Sequence, residues 1–399
     1  MSRNAYREAR RHPGRAAAML ALAAILHPAA QALADTTHSL VVRGSNRTFI
    51  VHVPPSYDGS RAFPVLLMFH GLGGTAAGAA SSYYDWQATA DTNRFLVVFP
   101  ESLTPAGKDI PGFEDYDGTG KRWDVAHVFS NRVDSQDVEF TGAILDWLET
   151  NYNVRASHVF TTGHSYGAFF SYYVSACLDG RIQAFAEHSG GLMSYTFLVT
   201  FFWPLDVSSP PPSVPGLLLH SPGDGTVAYS NSVLLQAEMT AHGQTNLLVT
   251  LASGLGHGWD KTKNQAQWDF FMAQTPMIDD DADGMPDTWE WQHELDLAAD
   301  DSAADPDGDG ASHLEEYRAG TDPRNGDSVF KAESLASAAP GAVVIRWSST
   351  TGKTYSVFSA AALPGPFTSV TNSLPATPPS NVFTGTAPGS AVYFRVAIP

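Results

Sequence analysis

The stretch His158-Val159-Phe160-Thr161-Thr162-Gly163-His164-Ser165-Tyr166-Gly167-Ala168-Phe169-Phe170 decides how the rest of the chain is read. The apolar run His158–Thr161 predicts a strand. Gly163-His164-Ser165-Tyr166-Gly167 follows, and an apolar helix leaves at Ala168-Phe169-Phe170. A strand entering G-x-S-x-G and a helix leaving it form a nucleophile elbow. The turn is tight enough to strain the serine backbone, so the flanking positions must be small, as Gly163 and Gly167 are. The hydroxyl of Ser165 is then pushed out at the C-terminal edge of a sheet. It lies beside a helix N-terminus that favours developing negative charge.

A serine needs a base, and the base needs a carboxylate to orient it. Downstream of an elbow the expected order is Asp or Glu, then His, each after a strand. The predicted strand Gly216–His220 runs into Ser221-Pro222-Gly223-Asp224-Gly225-Thr226-Val227, which puts Asp224 just beyond a strand end. The predicted strand Asn246–Leu251 runs into Gly254-Leu255-Gly256-His257-Gly258-Trp259, which puts His257 on a glycine-rich loop. With 14 histidines, some histidine will follow some strand, and Asp224 alone could be a turn former. The three residues in order select one another. The oxyanion hole is expected from the Tyr166 amide and from Leu72, in the loop His70-Gly71-Leu72-Gly73-Gly74 after the predicted strand Pro64–Phe69.

From His38 to about Ala273 strands and helices alternate. His38–Val42 and Thr48–Val53 predict a hairpin turned by Gly44-Ser45-Asn46. Phe95–Phe99 predicts another buried strand, and Val138–Tyr152 a helix with Ile144, Trp147 and Leu148 on one side. Buried runs separated by helices argue for an α/β fold, a mostly parallel sheet with helices on both faces. Phe197–Trp203 is strongly apolar and precedes Ser208-Ser209-Pro210-Pro211-Pro212; it is read either as an insertion packed on the core or as a flap beside the site.

The strings RTFIVHVPPSY, FHGLGG, VVFPES, RWD, DSQDVEF, GHSYG, HSPGDGTVAY and GLGHGW occur in this order. Through them residues 38–273 resemble the polyhydroxybutyrate-depolymerase and feruloyl-esterase-like branch of the α/β-hydrolases. The resemblance implies an α/β-hydrolase fold and hydrolysis of esters on polymers or of small aryl and acyl esters. It places Trp123 and Trp259 where members of the branch put aromatic pocket residues, although Trp259 could equally be core. The branch often uses disulfides, which this chain cannot form internally: Cys177 is its single cysteine and reads as a small buried filler. A serine peptidase, or a non-catalytic extracellular binding protein on the same fold, are the alternatives.

The ends of the chain read differently. Arg3, Arg7, Arg10, Arg11 and Arg15 precede the apolar run Ala16–Leu26 and the small-x-small pattern Ala32-Leu33-Ala34, which predicts a cleaved leader over 1–34, a mature start at Asp35 and export. The run is too short to span a bilayer, so no stable membrane insertion is expected. The formal charge of −18 is concentrated: Asp279–Asp327 holds 17 acidic residues against Arg318 and Arg324. No basic patch offers nucleic acid a partner.

Within that segment Asp279-x-Asp281-x-Asp283-Gly284-x5-Glu290 and Asp305-x-Asp307-x-Asp309-Gly310-x5-Glu316 each match a twelve-residue EF-hand loop. Alternate carboxylates point to one centre, the glycine turns the chain and the twelfth residue closes the site. Met285 and Ala311 are placed to offer carbonyls, while Asp287 and His313 fill the ninth positions. The segments resemble thrombospondin type 3-like and dockerin-like calcium repeats, which implies two structural calcium ions. No cofactor is expected for the chemistry itself. Val343–Trp347, Thr354–Phe358 and Ala391–Val396 predict strands of a small all-β, sandwich-like domain. The expected order is a leader (1–34), a catalytic domain (35–275), a calcium module (276–327) and a β domain (328–399).

Overall fold

A computed structural model describes residues 35–103, 120–125, 135–178, 180–196, 200–203, 214–275, 279, 281–297, 299–339, 342–386 and 393–398. The expected leader lies outside them. The chain opens with a hairpin, β1 (Thr36–Val42) and β2 (Ser45–His52), in antiparallel register with Val42 opposite Ser45. The turn is therefore Arg43-Gly44, one position earlier than the sequence suggests. Both residues have positive φ (48° and 78°), as a two-residue turn matched to strand twist requires.

Next come β3 (Phe63–Phe69), α1 (Ala76–Ala79), α2 (Trp86–Asn93) and β4 (Leu96–Pro100). Every residue of β3 and of β4 is buried, as expected of parallel strands covered on both faces. Then follow α3 (Gln136–Asn151), β5 (Val154–His164), α4 (Tyr166–Cys177) and β6 (Ala184–His188). The hairpin β7 (Met193–Thr196) and β8 (Thr200–Trp203) intervenes before β9 (Gly216–His220), α5 (Tyr229–Ala241), β10 (Asn246–Thr250) and α6 (Asn264–Gln274).

The main sheet runs β1-β2-β4-β3-β5-β6-β9-β10. It is antiparallel at the β1, β2 and β4 edge and parallel from β4 to β10. With the inserted hairpin set aside this is the strand order of an α/β-hydrolase, the fold the sequence predicts. The apolar insertion is this hairpin in part: β7 and β8 pair antiparallel, and Phe197–Val199 lie outside the described residues. Cys177 is half-buried at the end of α4 rather than fully buried.

Past the sheet, α7 (Asp287–His293) and α8 (His313–Ala319) each follow one acidic loop. The C-terminal strands are β11 (Ala332–Ala339), β12 (Ala342–Ser348), β13 (Thr354–Ala360), β14 (Thr368–Pro375), β15 (Ser380–Thr386) and β16 (Tyr393–Ala397). They form two three-stranded antiparallel sheets, β11-β12-β15 and β14-β13-β16. Ile345 and Trp347 of the first share a core with Tyr355 and Val357 of the second. Among the described residues no helix is long and apolar enough to cross a membrane.

Candidate active site

Ser165 sits between β5 and α4 with φ 57° and ψ −120°, a conformation rarely tolerated outside glycine and held here by the surrounding packing. Its own N–H donates to the His188 carbonyl at the end of β6 (2.9 Å), and its carbonyl accepts the Ala168 and Phe169 amides. The flanking glycines are a matter of space. A Cβ on Gly163 would meet the Gly167 carbonyl oxygen at 2.1 Å, and one on Gly167 would meet the Phe69 carbonyl oxygen at 2.1 Å. The elbow is thus wedged against the end of β3.

Asp224 follows β9 and His257 follows β10. His257 Nδ1 lies 2.6 Å from Asp224 Oδ2, while Asp224 Oδ1 accepts the Thr226 and Val227 amides (2.8 and 2.9 Å). The carboxyl is shielded from solvent and the imidazole is 23% exposed. Burial pushes the Asp224 carboxyl up, but the His257 hydrogen bond and the two amides outweigh it and hold it below the ordinary value. With Nδ1 donating to a carboxylate, Nε2 of a neutral imidazole is the lone-pair nitrogen, the form a general base needs.

Three further histidines surround the pair. His164, the second residue of the elbow motif, donates Nε2–H to the His257 carbonyl (3.0 Å), which leaves Nδ1 to accept from the Tyr84 hydroxyl (3.1 Å). Burial, with His257 nearby, lowers its pKa to about 4, so it stays neutral. His188 accepts the Asp260 amide on Nε2 (3.0 Å) and stacks on Trp259 at 4.6 Å; burial holds it well below the ordinary range. His220 Nε2 faces two acceptors, Val227 O (3.1 Å) and Asp224 Oδ2 (3.3 Å), so it carries the hydrogen. Its Nδ1 lies 2.8 Å from Ser232 Oγ, which lies 3.3 Å from Glu187 Oε1. Burial raises the Glu187 carboxyl to about 8. Glu187, Ser232, His220 and Asp224 thus form one hydrogen-bonded chain that ends on the carboxylate facing His257. The sequence does not reveal it, because β6 is a buried strand that carries Glu187 and His188 and lacks the apolar run that marks strands.

Several resemblance strings turn out to hold the loop that carries Leu72. Trp123 Nε1–H donates to the His70 carbonyl (2.8 Å), and its ring stacks on Phe170. The Asp124 amide donates to Asp137 Oδ2 (2.6 Å), and Arg47 Nη2 lies 2.5 Å from Asp137 Oδ1, both side chains 1% exposed. The Gly73 amide donates to Lys121 O and the Gly74 amide to Gly71 O, while among the described residues the Leu72 amide has no hydrogen-bond partner. Gly71 packs against the nucleophile: a Cβ there would lie 3.4 Å from Ser165 Cβ. Tyr166 is the first residue of α4, so its amide lies in the helix's first turn, directly after Ser165. Trp123 (1% exposed) and Trp259 (5%) are buried, Trp123 against the loop that carries Leu72 and Trp259 against His188; core, the second reading offered for Trp259, is where both rings lie.

The acidic loops are ordered by their own amides. Asp279 accepts Asp283 N and Gly284 N, Asp281 accepts Asp283 N, and Asp283 accepts Met285 N. Asp305 accepts Gly308 N and Gly310 N, Asp307 accepts Asp309 N, and Asp309 accepts Ala311 N. Among the described residues, the second oxygens of Asp281, Asp283, Asp307 and Asp309, and both oxygens of Glu290 and Glu316, are buried with no hydrogen-bond partner. Burial and neighbouring carboxylates push Glu290 up to about 8 and Glu316 up to about 7. Orphaned acidic oxygens facing one another fit a hard divalent cation. One expected ligand is engaged elsewhere, Asp287 with Arg155 (2.6 Å); His313 holds Asp301 through Nδ1 (3.1 Å), while among the described residues its buried Nε2 has no hydrogen-bond partner.

Residues 41–203 match a family model described as "Putative esterase". The match contains Leu72 and Ser165 and ends before Asp224 and His257. The chain is 26% identical over 149 residues to a bifunctional acetylxylan esterase/xylanase of Neocallimastix patriciarum, covering 37% of this chain and 18% of that protein. It is 26% identical over 156 residues to a "Probable feruloyl esterase C" of Aspergillus clavatus, covering 39% of this chain and 50% of that one. The chain therefore spans half or less of the length of these relatives. Among solved structures, a ferulic acid esterase of Anaeromyces mucronatus in complex with ferulic acid is 16% identical, with 60% of this chain and 89% of that chain covered and a TM-score of 0.45. An acetyl xylan esterase from Aspergillus awamori is 15% identical, with coverages of 59% and 99% and a TM-score of 0.43. An elbow serine and a histidine hydrogen-bonded to a shielded carboxylate thus lie in a domain part of which matches an esterase family model.

Proposed function

We propose that this chain is an exported serine carboxylesterase that works through an acyl-enzyme on feruloyl or acetyl esters of plant polysaccharide. The observation that carries the reading is the 2.6 Å contact of His257 with shielded Asp224, on the loops that follow β9 and β10 of the sheet whose strand β5 runs into Ser165. The named relatives supply the substrate class. His257 Nε2 takes the proton of Ser165 Oγ as it attacks the ester carbonyl. The Leu72 and Tyr166 amides receive the charge that develops on the carbonyl oxygen. His257 returns its proton to the leaving alcohol, then activates water to release the acid, with Asp224 holding the tautomer throughout. The acidic loops hold two calcium ions, supported by the orphaned oxygens of Glu290 and Glu316. Bound calcium supplies charge neutralisation to the module; the chemistry stays with the triad.

A panel of p-nitrophenyl acetate, methyl ferulate, acetylated xylan, poly(3-hydroxybutyrate) film and a peptide amide tests this. Turnover of p-nitrophenyl acetate and of methyl ferulate or acetylated xylan is expected. Activity confined to the polyester or the peptide would replace the substrate class, and no turnover of any of them would sink the esterase reading.

A further inference from the structure

The ninth position of the first acidic loop is Asp287, where the motif places a metal ligand. The structure gives that carboxylate other work. Asp287 opens α7, and its Oδ2 lies 2.6 Å from Arg155 Nη2, with the two side chains 1% and 8% exposed. Arg155 stands at the start of β5, at the opposite end of the strand from Ser165. Ten residues of extended chain separate them, roughly 30 Å. A carboxylate already neutralised by a buried guanidinium has little left to offer a cation.

A different carboxylate converges on the site. Asp301, in the connection between the two loops, brings an oxygen within 4.8 Å of oxygens of Asp283 and Glu290. Glu290 is 0% exposed, and among the described residues neither of its oxygens has a hydrogen-bond partner. Asp283 belongs equally to the cluster formed with Asp279 and Asp281, so the two clusters are one continuous set of five acids. Two buried acceptor oxygens with no donor are costly unless something positive stands between them and their neighbours. Asp301 is itself held in place: Oδ1 accepts from His313 Nδ1 (3.1 Å), the ninth residue of the second loop, and Oδ2 accepts the Asp296 amide (3.3 Å).

We propose that the first cation site is assembled across both loops, with Asp301 completing the set of Asp279, Asp281, Asp283 and Glu290, while Asp287 serves to dock the module on the hydrolase domain. The inference rests on the calcium reading above and goes beyond the twelve-residue motif, which places Asp287 in the site and has no position for Asp301. It has a consequence for stability. Glu290 and Asp287 lie on the same seven-residue helix, as does Trp291, whose ring meets Phe63 of β3 edge-on at 4.9 Å. A cation that fixes Glu290 therefore also fixes the two side chains that bind the module to the sheet. Calcium binding and docking are linked, each strengthening the other.

The test is calorimetric titration of the full mature chain with calcium chloride, repeated for Asp301→Asn and Asp287→Asn. Thermal melts are recorded with calcium and with chelator, and circular dichroism at saturating calcium checks that each variant is folded. Two ions are expected on the unmutated chain. Asp301→Asn should weaken one of them by at least about tenfold, because one charged ligand is lost. Asp287→Asn should keep both within about threefold, yet melt at a lower temperature in calcium, because the buried ion pair with Arg155 is broken. The reverse pattern, with Asp287→Asn losing an ion and Asp301→Asn keeping both, would overturn the proposal. No uptake by the unmutated chain would overturn the calcium reading beneath it, a separate failure visible in the first titration.

Discussion

Replacing Asp224 by asparagine separates the charge of the triad carboxylate from its shape. Oδ1 of Asp224 accepts two amides, from Thr226 and Val227, and Oδ2 faces His257 Nδ1 and His220 Nε2. The side-chain amide of Asp224→Asn can keep the two backbone hydrogen bonds only by turning its oxygen toward them. Its NH2 then points at His257 Nδ1, which must give up its hydrogen, and the proton moves to Nε2. The base is blocked in the form that would accept the serine proton. The ionic part can be sized separately. With charge centres roughly 4 Å apart and an effective dielectric near 20, the imidazolium–carboxylate attraction is about 4 kcal/mol, or about three decades in rate. The tautomer penalty adds to this, so kcat on p-nitrophenyl acetate should fall by about 10^3 to 10^4 with little change in KM. The melting temperature should move by only a few degrees, because the lost charge was also paying a desolvation cost. A variant that keeps more than about a tenth of the turnover would refute this account of the His257–Asp224 contact.

Two further outcomes follow from buried groups around the elbow. The Glu187 carboxyl has a folded pKa of about 8 against an ordinary 4.5, so the folded state holds an extra proton between those values. Stability should therefore fall as pH rises through that window, by up to about 1.4 kcal/mol per pH unit, and Glu187→Gln should remove that slope, as read from denaturant melts at pH 5 to 8. Gly167→Ala places a methyl 2.1 Å from the Phe69 carbonyl oxygen, a backbone atom of a buried strand. It should cost at least about 3 kcal/mol and abolish esterase activity; a soluble, active variant would show that the elbow has room it is not expected to have.

The candidate site is legible in the sequence because its signals are local. A strand, five residues and a helix announce the elbow, and Asp224 and His257 each sit a few residues past an apolar run. β9 begins and ends where the apolar pattern of Gly216–His220 does. What was missed depends on distance or on buried polarity. β6 reads Ala-Phe-Ala-Glu-His, and its acid and imidazole disguise a strand whose every residue is buried. Trp123 and Trp259 are aromatic residues of the resemblance, but only the packing shows that one hydrogen-bonds the His70 carbonyl and the other stacks on His188. The motif names Asp287, yet its partner Arg155 lies 132 residues away, a relation no local spacing encodes. Asp301 falls outside either twelve-residue window. The short helices α7 and α8 were hidden in a composition that resembles a solvated acidic linker, and only the capping box at Ser312 and Glu315 marks one of their starts.

The central claim is that Ser165 is the nucleophile of an ester hydrolase. The most direct measurement is steady-state turnover of p-nitrophenyl acetate by Ser165→Ala beside the unmutated chain, with matching circular dichroism spectra and melting temperatures. Removal of the attacking oxygen is expected to lower kcat by roughly 10^5-fold or more while the fold is kept. Near-native turnover by the folded variant would contradict the account.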